Sequence, residues 1–218
     1  MIIKIEPYKA SVDAIEKRLT EMGRESDVHN VIKKAINETA GAAKEILHSE
    51  TKKMYTIKSS VFRKVDIKKR STSSRHPGAT LTIKGETIGV KEGYKSSRNG
   101  KRKGASVQII KNSSMKEVKF MSGGHAYKAF ISTITNEDGD GNVSEYTGIF
   151  QRVPGKYMKG HQPSRKSKGR EAIKKIVSMS NAKAAEATYQ KKGLHGVFQE
   201  ELIFRMLKHM HAAIGDVG

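Results

Sequence analysis

The sequence predicts an α+β fold with an antiparallel sheet between two helical ends. Three observations predict it. Apolar residues recur at helical spacing up to about residue 53. Between residues 79 and 177 the pattern changes to period-two alternation, broken by Gly, Asn and Asp turns. After Ser180 an Ala-rich segment restores the helical period. Strands grouped together, not alternating with helices, argue against a doubly wound parallel sheet.

The elements follow in order. Val12, Ile15, Leu19 and Met22 predict a first helix, with Ser11 as its N-cap and Gly23 as its end. Ser26 or Asp27 caps a second, long helix. Its stripe runs through Val28, Val31, Ile32, Ala35, Ile36, Thr39, Ala42, Ala43, Ile46 and Leu47 to about Lys53. The small-residue patch Ala40-Gly41-Ala42-Ala43 lets another backbone approach, and reads as intramolecular packing ahead of the alternative, an oligomer seam. Thr56 caps a short helix from Lys58 to about Val65, with Val61, Phe62 and Val65 facing inward. Lys68 to Gly78 is Ser- and Arg-rich and reads as a loop.

Ala79 to Gly85 and Thr87 to Val90 read as a β-hairpin or two paired strands. A flexible basic loop spans 91–104, and strands are expected over 106–111 and 117–121. Ala126 to Thr135 alternates best of all, with both faces covered. The cluster Asn136-Glu137-Asp138-Gly139-Asp140-Gly141-Asn142 is a turn, and Val143 to Val153 is the partner strand. The loop 154–169, a strand over 171–177, a helix over about 181–191 broken at Gly193, and a last helix over about 194–213 complete the chain.

Composition bounds the function. The 218 residues include no Cys and no Trp, which excludes disulfides, thiolate metal sites and cysteine nucleophiles. Met1 to Ile5 is too short for a signal segment, and no run approaches the roughly 18 apolar residues of a membrane span. A soluble protein, or one that assembles into something soluble, is expected.

The net charge of +20 is unevenly placed. Residues 1–51 carry 8 Lys/Arg against 9 Asp/Glu, residues 52–119 carry 19 against 4, residues 120–151 carry 1 against 4, and residues 152–218 carry 14 against 5. Such segregation predicts one basic surface for a polyanion or an acidic partner. The basic positions that form it are Lys68, Lys69, Arg70 and Arg75, then Arg98, Lys101, Arg102 and Lys103, then Lys156, Lys159, Arg165, Lys166, Lys168 and Arg170. Aromatics are not interleaved with these runs, so the stacking platform of a single-strand binder is missing. No zinc finger, helix-turn-helix or RNA module is present, and any nucleic-acid contact is expected to be with phosphates, without base reading.

Catalytic and metal motifs fail on inspection. Asp138-Gly139-Asp140-Gly141-Asn142 imitates a calcium loop, but Val143 stands where Gly is required and Ile149 where Glu is required. A hairpin turn explains it. His209 and His211 are two apart on a helix and point to nearly opposite faces. Gly123-Gly124-His125 has no accompanying nucleophile motif. Neither a catalytic site, a cofactor nor a metal is expected, and the chain is not expected to be an enzyme.

One block carries more. Gly148-Ile149-Phe150-Gln151-Arg152-Val153 is a strand that sends an aromatic outward beside an Arg. A basic, Gly-rich loop follows, and Ile173-Lys174-Lys175-Ile176-Val177-Ser178-Met179-Ser180 then leads into the final helices. With the basic stretch Glu45 to Lys58 after the long helix, this resembles the phage minor tail protein Z family over about residues 30–213. The motif residues are Phe150, Arg152, Ile173, Lys174, Lys175, Ser178 and Ser180. Where many relatives have Gly-Pro-Ser, this chain has Ser178-Met179-Ser180.

The resemblance implies a structural virion protein that completes a tail at its head-proximal end. It implies a homo-oligomeric ring, sixfold in a tail, with the tail terminator and the connector, neck or sheath proteins as partners. It implies DNA phosphates as a further contact, assembly in a bacterial cytoplasm, and a single domain over 28–218 with residues 1–27 as a helical extension. The rival expectation, from charge alone, is a non-specific nucleic-acid-binding protein.

Overall fold

The computed structural model describes residues 1–72, 78–98, 104–137, 140–165 and 167–215. The elements in chain order are β1 (Ile2–Ile5), α1 (Lys9–Glu21), α2 (Val28–Met54), β2 (Ile67–Arg70), β3 (Ala79–Ile83), β4 (Ile88–Gly89), α3 (Val90–Gly93), β5 (Lys95–Arg98), β6 (Ala105–Gln108), β7 (Lys116–Glu117), β8 (Lys119–Ser122), β9 (His125–Lys128), β10 (Phe130–Glu137), β11 (Val143–Tyr157), β12 (Glu171–Lys175), β13 (Val177–Ser178), α4 (Asn181–Lys191) and α5 (Leu194–Gly215). Every described strand pair is antiparallel, and the fold class is α+β. Among the described residues no helix is long and apolar enough to cross a membrane.

The chain divides into two compact units. Unit 1 comprises Met1–Lys52, Arg63–Gly85 and Asn181–Gly218; unit 2 comprises Lys53–Phe62 and Glu86–Ser180.

Unit 1 is built on α2. Its 27 residues extend about 40 Å at the usual rise. Val31, Ala35, Ile36, Thr39, Ala40, Ala43, Leu47 and Thr51 form its buried stripe. Thr51 satisfies its buried hydroxyl by donating to the Leu47 carbonyl one turn back, at 2.7 Å. Ala40 and Ala43 of the small-residue patch face this core, whereas a Cβ on Gly41 would meet nothing within 4 Å. Ile15 and Leu19 of α1 and Leu202 and Met206 of α5 are buried in the same unit.

The unit 1 sheet has the order β1-β3-β2. Ile3 and Ile5 of β1 and Ala79, Leu81 and Ile83 of β3 alternate inward. The run Ile2–Ile5 has β-branched residues but only four positions, too few to declare a strand alone. It exists because β3 offers a partner edge, with Ile2 opposite Thr82 and Ile5 opposite Ala79. Helix α1 begins at Lys9, two residues before the expected cap, with Tyr8 at the cap position and no side-chain cap bond. Gly23 ends the helix as expected, at φ +68°.

Charges in unit 1 pair with one another. Arg205 meets Glu38 at 2.8 Å and Glu201 at 2.7 Å, and His209 Nε2 lies 3.2 Å from the same Glu38 carboxylate. Burial pushes the Glu38 pKa up. The hydrogen bonds and charges of Arg205 and His209 outweigh that and hold it below the usual carboxylate range.

Unit 2 is mostly strands and has a core cluster of its own. Val90, Ala105, Val107, Ala129 and Ile149 are its centre, with Ile109, Val118, Ile131 and Ile176 half-buried against it. Its sheets are β10-β11-β12, β5-β6-β7, β8-β9 and β13-β4.

Several expectations need correction. Residues 58–65 form bends and then a 3-10 turn over Lys64–Asp66, not a helix. The Thr56 hydroxyl is not a cap: it donates to the Gln108 carbonyl of β6. Phe62 is buried as expected, but Val65 is 64% exposed. Residues 79–90 do not make a hairpin. Strand β3 pairs with β1 and β2, and β4 pairs with β13. Residues 90–98 hold α3 and β5 where a loop was expected.

The strand expected over Ala126–Thr135 is interrupted at the fully buried Ala129. Its N–H donates to Val118, and its carbonyl accepts from Ala105. The two halves, β9 and β10, therefore belong to different sheets. Side chains along β10 from Phe130 to Thr135 are half-buried or exposed, so neither face is fully covered. The hairpin β10–β11 stands as expected, with Phe130 opposite Phe150 and Glu137 opposite Val143. Asp138 and Gly139 of its turn lie outside the described residues.

Candidate functional site: a basic hairpin in unit 2

The basic segment after Arg152 is folded, not a free loop. Strand β11 runs on to Tyr157 and pairs with β12 at Arg152–Ile173 and again at Tyr157–Glu171, with a register shift between. Pro154 has no N–H to give the ladder, and Gly155 sits at φ +72°, so the strand bends there.

Beyond Tyr157 two turns nest. Met158 N–H donates to Arg170 O at 2.9 Å, and Arg170 N–H donates to His161 O at 2.8 Å. Ser164 and Ser167 exchange backbone bonds at the tip. Gly169, at φ +72°, closes the turn. An added Cβ would lie 2.7 Å from the Pro163 nitrogen and 2.8 Å from the His161 carbonyl oxygen. Only glycine fits there without moving backbone.

This hairpin holds Lys156, Lys159, Arg165, Lys168 and Arg170 together, all exposed. None of the five forms an ion pair with a described acidic residue. Exposed cations without local partners keep their attraction for an external anion. Two apolar side chains, Tyr157 and Met158, are also exposed between Lys156 and Lys159.

The other basic positions separate from this group. Lys68, Lys69 and Arg70 lie in unit 1 on β2, an edge strand and not the loop expected. All three are exposed, and Lys side chains on an edge strand also discourage edge-to-edge pairing. Arg98 ends β5 in unit 2, its backbone opposite Ala105. Arg75, Lys101, Arg102, Lys103 and Lys166 lie outside the described residues.

The motif residues form the root of the hairpin, with one reversal. Phe150 does not point outward; it is 4% exposed. It packs edge-on against Tyr146 at 6.0 Å and beside Phe130 at 6.4 Å. Arg152 is the exposed member, and its guanidinium lies 5.8 Å from the Phe130 ring centre. Neighbouring Gln151 is buried too and donates to Tyr127 O at 2.8 Å, so both faces of β11 are covered here.

Lys174 is exposed and Ile173 half-buried. Lys175 Nζ sits 4.0 Å over the Tyr146 ring and 3.5 Å from Glu92. Burial pushes the Tyr146 phenol up. Its hydroxyl, with Glu92, holds the Lys175 ammonium above the usual lysine range. The three meet over Gly89, where a Cβ would come within 2.7 Å of Lys175 and Tyr146 and 2.6 Å of Glu92. Ser178 pairs with Ile88 in β13–β4, and Ser180 is buried just before α4.

Sequence reading did not single out Tyr146, Glu92 or Gly89. One signal was available: Tyr146-x-Gly148-x-Phe150 puts an aromatic, a glycine and an aromatic on one strand face. The Tyr146 ring covers Gly148, reaching 2.5 Å from where its Cβ would stand. Among the described residues no group of three or more His, Cys, Asp or Glu is placed to hold a metal ion.

Comparison with family models, with curated proteins and with solved structures finds no match to this chain.

Proposed function

We propose that this chain is a structural virion protein, a tail-completion or neck-ring subunit. It joins the tail-terminator end of a phage tail, or of a phage-tail-like particle, to the head connector. The reading rests on the chain's own residues. The observation that carries it is the basic hairpin beyond the Arg152–Ile173 pair, where Lys156, Lys159, Arg165, Lys168 and Arg170 lack described acidic partners. That hairpin is the segment on which the resemblance to the minor tail protein Z family was drawn.

The mechanism is multivalent docking. Each subunit offers a preshaped arm with exposed Tyr157 and Met158 among its cations. An arm that grips a neighbour head to tail generates a closed ring when the rotation closes, sixfold in a tail. Repetition around the ring multiplies a modest single contact.

The test is deletion of the gene in cells that make the particle, with the tagged protein supplied back. Tails without completed head-proximal ends, and tag density at that end after complementation, are expected. Intact particles without the protein, or a tag elsewhere, would overturn the reading.

A second reading is non-specific nucleic-acid binding, favoured by the 21 Lys/Arg against 8 Asp/Glu in unit 2. Retardation of duplex DNA that falls steeply between about 50 and 200 mM salt supports it; no retardation at low salt removes it.

A further inference from the structure

We propose that α5 is a two-fold self-association face, on which a second copy of this chain lays its own α5 antiparallel to the first. The inference does not depend on the tail reading. It starts from an exposed apolar row. Phe204 is 63% exposed in the middle of α5, and Val197, Ile203 and Leu207 are also exposed. Ile203 and Leu207 border a shallow groove shared with Ser11, Ala14 and Ile15 of α1. A well-formed helix leaving its middle aromatic in water is an unfinished contact.

Charge identifies the occupant. Glu200 and Lys208 stand four residues before and four residues after Phe204, about 40° to either side of it around the helix. Both are exposed and neither has a partner among the described residues. Glu201 and Arg205, the other charges nearby, are already paired with each other. An antiparallel copy centred on Phe204 sets each Glu200 against the Lys208 of the other chain, because the two positions are equidistant from that centre. The same operation brings Phe204 to Phe204 and gathers Ile203 and Leu207 of both chains along one edge. A two-fold contact is self-complementary by construction, and here opposite charges meet twice.

The face also suits self-association in a protein of net charge +20. Helix α5 carries two acidic and two basic residues besides its histidines, so the face itself adds no net charge to the repulsion between copies. Its 22 residues extend about 33 Å, and a contact of that length about 10–12 Å wide hides on the order of 800 Å² over both chains. That is the size of a weak, reversible dimer.

The test is sedimentation equilibrium of the full chain from about 1 µM to about 1 mM, at low salt, with circular dichroism to show that each variant is folded. A monomer–dimer equilibrium is expected for the unaltered chain. Phe204→Ala is expected to weaken it more than about 10-fold, and Glu200→Lys or Lys208→Glu about 10-fold each. The double exchange Glu200→Lys with Lys208→Glu is expected to restore it to within about twofold. A monomer throughout, or association that these variants leave unchanged, overturns the proposal. Incorporation of the Phe204→Ala chain into particles, read separately, reports on the tail reading and not on this one.

Discussion

Unit 1 and unit 2 handle charge in opposite ways, and the contrast shows where unmatched positive charge collects. Unit 1 holds 21 Lys/Arg against 14 Asp/Glu, and many of them meet: Arg18 with Glu21, Arg24 with Asp27, Lys64 with Glu45, Lys192 with Glu50, and Arg205 with Glu38 and Glu201. Unit 2 holds the same number, 21 Lys/Arg, against only 8 Asp/Glu, and its ion pairs include Lys128–Glu117 and Lys175–Glu92. The cores differ as well. Unit 1 buries the aliphatic Ile36, Leu47, Leu81 and Leu202 almost completely, while unit 2 buries the aromatic Phe62 and Tyr94 as fully, in addition to a cluster of Val, Ala and one Ile. Unit 1 matches much of its charge internally, whereas the acidic residues of unit 2 are too few to match most of its cations.

Core truncation is the largest single-residue test of that contrast. Leu47→Ala is expected to cost about 3 kcal/mol, against about 1.5 kcal/mol for Val107→Ala in unit 2. Urea denaturation followed by circular dichroism at the helix band reads the first; hydrogen exchange at β5 and β6 amides reads the second. Equal losses would break the comparison.

A local effect comes next. Gly169→Ala forces a left-handed backbone on a residue whose Cβ meets Pro163 and His161, and is expected to cost about 2 kcal/mol. The Met158 and Arg170 amides are expected to exchange about 30-fold faster, while helix content and the unit 1 transition stay unchanged. Slow exchange at both amides would mean that the hairpin is not held by this turn.

The smallest effect is in pH. The folded pKa of Glu38 lies below its ordinary value of 4.5, so its contribution to stability is present above pH 4.5 and is lost as pH falls through the folded value. In Glu38→Gln the urea midpoint is expected to fall at neutral pH and to approach the unaltered midpoint in acid. A gap that persists at low pH would assign the effect to shape and not to charge.

Much of unit 1 is legible in sequence, and the reason is locality. Helix α2 declares itself through a stripe from Val28 to Leu47, and α4 and α5 part at Gly193 as expected. The hairpin β10–β11 is legible because alternation and turn residues adjoin. Strand β1 is less so, because its Ile-rich run is only four residues long and its partner β3 lies about 80 residues away. Lys68–Arg70 read as loop by composition, yet Ile67 anchors them beside β3.

The site divides in the same way. Its charges are plain in the sequence, whereas the nested turns around Gly169 and the meeting of Lys175 with Glu92 across 83 positions are tertiary facts. The sequence places Phe150 outward beside Arg152, yet Phe150 is buried. The packing of Tyr146, Phe130 and Gln151 covers both faces at that point.

The central claim is that the unit 2 hairpin keeps its cations for an external partner. It is tested most directly by replacing Lys156, Lys159, Arg165, Lys168 and Arg170 together with Gln and measuring incorporation of the chain into tails. The account predicts a folded protein with unchanged helix content that is missing from the particles. Tails carrying a full complement of the neutralised chain would contradict it.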